Sequence, residues 1–139
     1  MNKIKKTVLQ SIKPLIKIFP FFVGIILLMS LINSAISKSF YQKIFSKNIF
    51  LDSLIGSSLG SIFAGNSITS YVMGGEFLQQ GVSLVAVTAF LVAWVTVGVL
   101  QFVVEAHYFG KKFTILRNIL SFIFSLLVAI ITVLIYENV

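Results

Sequence analysis

The sequence predicts an all-α integral membrane protein with about three transmembrane helices and a Gly/Ser-rich re-entrant or broken helical hairpin. Hydrophobic residues make up 58% of the chain and charged residues 11%, whereas an average globular chain carries about 25% charged residues. The charges lie in a few clusters between uncharged runs that are long enough to cross a bilayer. A soluble domain of this composition would lack a water-compatible surface, so residues 1–139 are predicted to form a single membrane domain.

The net charge of +7 does not indicate nucleic-acid binding, because the basic residues flank apolar segments and form no stripe interleaved with exposed aromatic residues. Lysine and arginine beside apolar spans instead orient membrane proteins. The chain has no cysteine and a single histidine, His107, so no metal site and no cofactor are predicted. No catalytic residue is predicted either, because no nucleophile, base and orienting group occur together.

The first predicted span covers about residues 18–36 and follows an N-terminal stretch with five lysines. A cleaved signal peptide is the competing interpretation, because Ala35 and Ser37 are small residues at a suitable cleavage spacing. The apolar run is longer than the usual signal-peptide core, which favours a retained span. The lysines predict a multi-pass protein of the cell membrane with a cytoplasmic N-terminus.

The segment 53–75 is predicted to be a broken or re-entrant hairpin. It follows a polar link at 38–52, whose interleaved aromatic and charged residues favour the membrane interface. It holds five of the nine glycines and six serines, a composition that an unbroken lipid-facing helix seldom has. Helix breaks at membrane depth are tolerated only where protein or water covers the backbone, and Gly65-Asn66-Ser67 is the predicted break.

Two ordinary spans are predicted after the hairpin, at about 82–104 and 115–136. The first contains 23 uncharged residues and carries a row of small residues, Ala86, Ala89 and Ala93, that would let another helix approach closely. A basic turn with Lys111 and Lys112 separates the two spans.

The distribution of basic residues favours a re-entrant hairpin. If 53–75 crossed the membrane once, five basic residues would be cytoplasmic and six would be outside. If the segment returns to the side from which it came, eight are cytoplasmic and three are outside. The second arrangement agrees with the cytoplasmic excess of lysine and arginine in membrane proteins, and it predicts that Glu76 and the C-terminus lie outside.

A polar cluster around the predicted break is the candidate substrate path. Broken helices expose backbone groups with which transporters coordinate substrates or ions, and hydroxyl and amide groups add ligands without a buried charge. Asn66 is the first candidate, with capping of a helix that begins at Ser67 as the alternative role. The full candidate set is Gly60, Gly65, Asn66, Thr69, Ser70, Tyr71, Gly74, Gly75 and Glu76.

Residue spacing predicts two further contacts. Gly56, Gly60 and Ala64 share one helix face, where a GxxxG pair lets backbones approach and predicts helix packing. Glu105 and Arg117 are equidistant from Lys111, so a helical hairpin turning there brings them to similar depth as an ion pair. Such a pair at a span boundary is more often a structural clamp than a proton relay.

The run GSIFAGNSITSY at 60–71, followed by GGEFL at 74–78 and Gly81-Val82, resembles the signature region of the predicted permeases of the DUF318/ArsP-like family. The likeness continues with FLVAW at 90–94 and Arg117-Asn118 and covers roughly residues 50–135. The resemblance implies a permease of an eight-span class, some members of which export organoarsenical compounds, with the glycine-rich loop near the transport path. The chain resembles about half of such a permease. It lacks the cysteine often found in the family's loop, so the family's thiol-seeking substrates are not expected for this chain.

The leading functional hypothesis is a half-size permease subunit that moves a small molecule or ion after oligomerisation, because so few spans cannot surround a solute. The alternative is a non-transporting membrane subunit that docks on a larger membrane complex and regulates or assembles it. The strong charge bias predicts one orientation in the lipid bilayer. The expected partner is therefore a copy in a parallel homo-oligomer or a companion half-size chain of opposite orientation, and the resemblance favours the companion.

Overall fold

The computed structural model describes residues 3–35, 37–63 and 67–138. These residues form α-helices and contain no β-strand, which confirms the predicted helical class. The helices are α1 (Lys3–Ala35), α2 (Lys38–Ile44), α3 (Ile49–Ile62), α4 (Ser67–Gln79), α5 (Leu84–Thr96), α6 (Val99–Tyr108) and α7 (Lys111–Glu137). The chain divides into two units, Met1–Ile36 and Ser37–Val139.

The first unit consists of α1, a continuous helix of 33 residues. At 1.5 Å per residue its length is about 50 Å, more than the roughly 30 Å of a hydrocarbon core. It contains the predicted span 18–36 up to Ala35, and residue 36 lies outside the described part of the chain. Ile16, Phe19 and Leu27 are all about two-thirds exposed, so α1 displays an apolar surface suited to lipid.

In the second unit α5 is central and packs on α3, α4 and α7. The predicted small-residue row of α5 is buried, with Ala86, Ala89 and Ala93 at most 1% exposed. Residues on successive turns of α3 contact residues on successive turns at and after the start of α5, in the same chain order. Asp52 meets Ser83, Gly56 meets Ala86, and Gly60 meets Phe90. The two helices therefore run parallel, with an offset of about 30 positions along their whole contact.

α3 and α4 are short helices on either side of the predicted break. They have 14 and 13 residues, or about 21 and 20 Å at 1.5 Å per residue. α3 ends where Phe63 takes an extended backbone (φ −74°, ψ 143°), and α4 begins at Ser67. Of the predicted break, Gly65 and Asn66 lie outside the described residues, as does Ala64.

Two helical segments are long and apolar enough to cross a membrane, Leu84–Tyr108 and Lys111–Glu137, and Ile49–Ile62 is a shorter apolar helix. The first segment contains α5 and α6, so the predicted span 82–104 is interrupted at Val97 and Gly98. β-Branched residues and glycine weaken a helix here, and the Thr96 hydroxyl donates to the Val92 carbonyl at 2.7 Å.

α7 runs antiparallel to α5. The start of α5 meets the end of α7, where Val85 and Val133 belong to one buried cluster. The end of α5 meets the first half of α7, where an Arg117 guanidinium nitrogen lies 2.8 Å from the Thr96 carbonyl oxygen. The start of α3, the start of α5 and the end of α7 therefore lie at one end of the second unit.

Aromatic rings fill the space between α4, α5 and the end of α3. Phe90 and Trp94 are 1% and 6% exposed, with ring centroids 5.3 Å apart. Phe63 stacks on Trp94 at 5.5 Å, and Phe77 meets Phe90 edge-on at 5.4 Å. These contacts place the end of α3 beside the end of α5.

Candidate functional site

The predicted small-residue face of α3 packs on α5. A Cβ atom at Gly56 would lie 2.1 Å from the Ala86 carbonyl oxygen, and one at Gly60 would lie 2.3 Å from that of Phe90. Only glycine allows this approach. The packing is within one chain, because α5 occupies this face of α3.

The serine hydroxyls of α3 bond the backbone of their own helix or, at Ser57, a serine of α7. The Ser125 hydroxyl on α7 donates to the Phe122 carbonyl at 2.7 Å. The Ser125 hydroxyl has only one proton, which it donates to Phe122. The Ser57 hydroxyl is therefore the donor in the 2.8 Å contact between Ser57 and Ser125. Ser53 donates to the Phe50 carbonyl at 2.9 Å, and all three serines are fully buried. Ser57 therefore links α3 to α7, and Ser53 bonds within its own helix.

The predicted path residues on α4 point in different directions. Ser70 is 1% exposed and donates to the Ser67 carbonyl at 2.7 Å. Thr69 is 7% exposed, and its hydroxyl has no hydrogen-bond partner among the described residues. Tyr71 is 65% exposed and lines an apolar groove of about 370 Å³ with residues of α5, namely Thr88, Leu91, Val92, Val95 and Thr96.

Gly74, Gly75 and Glu76, which belong to the predicted path, lie within the continuous helix α4. A Cβ atom at Gly74 would lie 3.2 Å from a Val87 methyl group, whereas one at Gly75 would meet nothing within 4 Å. Gly74 thus allows close packing of α4 on α5, and Gly75 faces open space. Glu76 is partly buried on the same helix.

The last turn of α3 lies beside the break between α5 and α6. Ser61 in the last turn of α3 lines a cavity of about 330 Å³ together with Val97 and Gly98, which separate α5 from α6. Asn118 of α7 also lines this cavity, and its amide group donates to the Thr114 carbonyl at 2.9 Å. Sequence reasoning missed the second break, although Gly98 within an apolar run was the available signal.

Glu105 and Arg117, the pair predicted from spacing, are in contact in the structure. A guanidinium nitrogen of Arg117 binds Glu105 Oε1, and the other lies 2.8 Å from the Thr96 carbonyl oxygen. The Arg117 side chain is 29% exposed and that of Glu105 is 20% exposed. Arg117 therefore joins α7 to α6 and supplies a donor to a carbonyl that the break leaves without its helical partner.

Asp52, which the sequence places in the polar link at 38–52, is a buried acidic residue at the start of α3. Asp52 is 0% exposed; its Oδ2 accepts a hydrogen bond from the Ser83 hydroxyl, and its Oδ1 has no partner among the described residues. It lines a cavity of about 250 Å³ together with Lys47, Ser83 and Glu137. The sequence signal was its place in the first turn of α3, behind the Asn48 cap.

The described residues contain no cluster of metal ligands of the usual kind. In the described ranges, no three histidine, cysteine, aspartate or glutamate side chains lie close enough together to hold a metal ion.

A family model described as a predicted permease, ArsP_1, matches residues 5–139. The chain belongs to this permease family. No curated protein and no solved structure matches it. The match extends the likeness from roughly residues 50–135 to residues 5–139 and confirms the resemblance. Membership in a permease family, with two helices able to cross a membrane, supports a membrane protein with a role in transport.

Proposed function

We propose that the chain is a half-size permease subunit that forms a transmembrane path for a small molecule or ion after it associates with another chain. The family match over residues 5–139 carries this proposal. A second unit built around a single central helix, α5, is too small to surround a solute, so further helices are needed to close the path.

In this proposal segment 53–75 enters the membrane and returns to the side from which it came. The support is the hydrogen bond between Asp52 and Ser83, because a segment that crossed the membrane would separate these residues by about 30 Å. The lengths of α3 and α4, about 21 and 20 Å, also suit half-helices. The cytoplasmic N-terminus and the cell membrane location rest on the charge bias described above.

The proposed substrate contact lies where the last turn of α3 meets the break between α5 and α6. Transporters bind substrates at discontinuous helices, whose ends offer unpaired backbone groups. Ser61, Gly98 and Asn118 line the cavity at this place, and the buried Thr69 hydroxyl offers a further unsatisfied group on α4. Asn66, between the described ends of α3 and α4, keeps its proposed role as a substrate contact.

The test is transport by the purified chain in liposomes, alone and with a neighbouring half-size chain, across a panel of solutes with and without a proton gradient. Asn66→Leu and Asn118→Leu are expected to abolish transport without loss of membrane insertion. Ser58→Ala is the control, because the Ser58 hydroxyl bonds the Leu54 carbonyl of its own helix. A chain that copurifies with a larger complex but moves no solute would favour the docking subunit instead.

The partner is proposed to be a companion half-size chain of opposite orientation, with a parallel homo-oligomer as the second arrangement. α7 presents an apolar surface that lipid or a partner helix can contact. Its exposed residues include Ile123, Phe124 and Ile131, each about half exposed. Crosslinking in native membranes distinguishes the arrangements, and equal populations of both orientations of this chain would refute the proposal.

A further inference from the structure

The cavity beside Asp52 holds an unbalanced negative charge. Asp52 is completely buried, and one of its two carboxylate oxygens has no partner among the described residues. An ionised carboxylate buried without a partner is costly, and in proteins such groups are paired or bind metal ions. In the ionised form this oxygen accepts and cannot donate, so the missing partner of an ionised Asp52 is a cation or a hydrogen-bond donor.

The chain itself offers one cation at this cavity, Lys47. Lys47 and Glu137 are exposed at the cavity, while Asp52 is buried. Among the described residues neither carboxylate forms an ion pair with Lys47. One ammonium group cannot neutralise two carboxylates, so the three side chains together carry one net negative charge even when Lys47 is close.

The surroundings favour a small hard cation. The polar groups that line the cavity are carboxylate and hydroxyl oxygens besides the Lys47 ammonium, and oxygen ligands suit hard cations. The last turn of α7 reaches the cavity through Val133 and Glu137, so it adds a second carboxylate to the lining. A volume of about 250 Å³ leaves space for waters, each of which takes about 30 Å³, to complete the coordination.

We propose that this cavity binds one monovalent hard cation, for which Na⁺ is the probe, with Asp52 Oδ1 as the principal ligand and Glu137 as a second carboxylate. Ser83 positions Asp52 through the hydrogen bond to Oδ2. Two carboxylates opposed by one lysine supply a single net charge, which suits a monovalent ion better than a divalent one. The site deepens the proposed function, because such a cation can be the coupling ion or the cargo of a permease.

The experiment measures equilibrium binding of ²²Na⁺ to the purified full chain in detergent, with choline chloride holding the ionic strength constant. The wild type is expected to bind Na⁺ saturably, and Asp52→Asn is expected to lose this binding. Ser83→Ala should weaken it about 10–100-fold, as is usual for residues that orient metal ligands. Lys47→Met should strengthen it by removing a competing cation. Glu105→Gln is the matched control, since it removes one carboxylate at the other end of the unit and should leave binding unchanged.

Several outcomes would overturn the assignment. These are the absence of saturable Na⁺ binding in the folded wild type, unchanged binding in Asp52→Asn, and displacement of ²²Na⁺ by Ca²⁺ at lower concentration than by Na⁺. If Asp52→Asn does not fold, the wild type alone still decides, because its unfolding temperature must rise in NaCl relative to choline chloride when a folded-state site binds Na⁺. Transport without Na⁺ binding rejects only the cation site, and Na⁺ binding without transport of any solute rejects only the permease proposal.

Discussion

Gly56 and Gly60 set the distance between α3 and α5. At both positions a methyl group would overlap a carbonyl oxygen of α5, and a backbone oxygen in a helix cannot move aside as the end of a flexible side chain can. The glycines are therefore required by a contact inside the chain. The same residue type at Gly75 meets open space, so glycine identity alone does not reveal which positions are constrained.

Gly56→Ala is expected to destabilise the second unit by about 1–3 kcal/mol, as overpacking of a well-packed core does. Gly75→Ala should be neutral or stabilising by up to about 1 kcal/mol, because alanine is the better helix former. The free energy of unfolding of both variants can be measured in mixed micelles by titration with SDS. Equal stability of the two variants would contradict the assigned contact.

The buried hydroxyl pair Ser57–Ser125 links α3 to α7. Ser125→Ala removes the acceptor and leaves the Ser57 proton without its partner, whereas Ser57→Ala leaves Ser125 bonded to the Phe122 carbonyl. Ser125→Ala should therefore be the more destabilising single change. A double-mutant cycle is expected to give a coupling energy of roughly 0.6 kcal/mol, the average for hydrogen bonds between membrane helices. A coupling energy of zero would mean that the contact contributes nothing to stability.

At the scale of helices, the break between α5 and α6 depends on Arg117. Its guanidinium group binds Glu105 of α6 and the last carbonyl of α5, that of Thr96. One side chain of α7 thus fixes both helices that adjoin the break. Glu105 Oε2 is buried without a partner among the described residues, so the carboxylate depends on Arg117 for its compensation.

Arg117→Met is expected to cost about 2 kcal/mol. This is less than the roughly 3–5 kcal/mol lost when one partner of a fully buried pair is removed, because both side chains keep some exposure to solvent. The double variant Arg117→Met/Glu105→Met should recover part of this loss by removing the unpaired carboxylate. Stability of the variants can be compared by thermal unfolding in detergent, and a double variant less stable than Arg117→Met would contradict the pairing.

Arg117→Lys tests the second role of this residue. Lysine keeps the charge but cannot bridge Glu105 and the Thr96 carbonyl with a planar fork. We expect faster hydrogen exchange at the amides near Val97 and Gly98 in this variant, while the α3–α5 contact stays protected. Unchanged exchange at the break would show that Thr96 does not need the arginine.

At the scale of the whole molecule, the proposed topology places the starts of α3 and α5 and the end of α7 on the outside. Because the chain has no cysteine, single cysteines introduced as Ser39→Cys, Glu137→Cys and Lys112→Cys report the side of each position. The first two are expected to react with a membrane-impermeant maleimide in intact cells, and the third only after permeabilisation. External labelling at position 112 would refute the re-entrant segment.

Contacts that depend on spacing along a helix are those that the sequence can indicate, because such spacing is local. Glu105 and Arg117 meet as their distances from Lys111 suggest, and Gly56 and Gly60 share a close-packed face. The sequence did not predict which helix covers that face, since a glycine pair attracts any helix that fits. Nor did it predict the buried position of Asp52, because that burial depends on the packing of α3 on α5, where Asp52 meets Ser83, which is 31 positions away in the chain.

Composition and short motifs by themselves determined the helical class, two apolar segments long enough to cross a membrane and the family, because hydrophobicity and short motifs are properties of contiguous residues. The tertiary structure alone decided that α3 runs parallel to α5, that the last turn of α3 and the break between α5 and α6 line one cavity, and that the buried Asp52 lines a second cavity at the opposite end of α5. These features depend on contacts between residues about 30 or more positions apart. Such contacts are fixed by which surfaces fit together, and no pattern within a single segment records that choice.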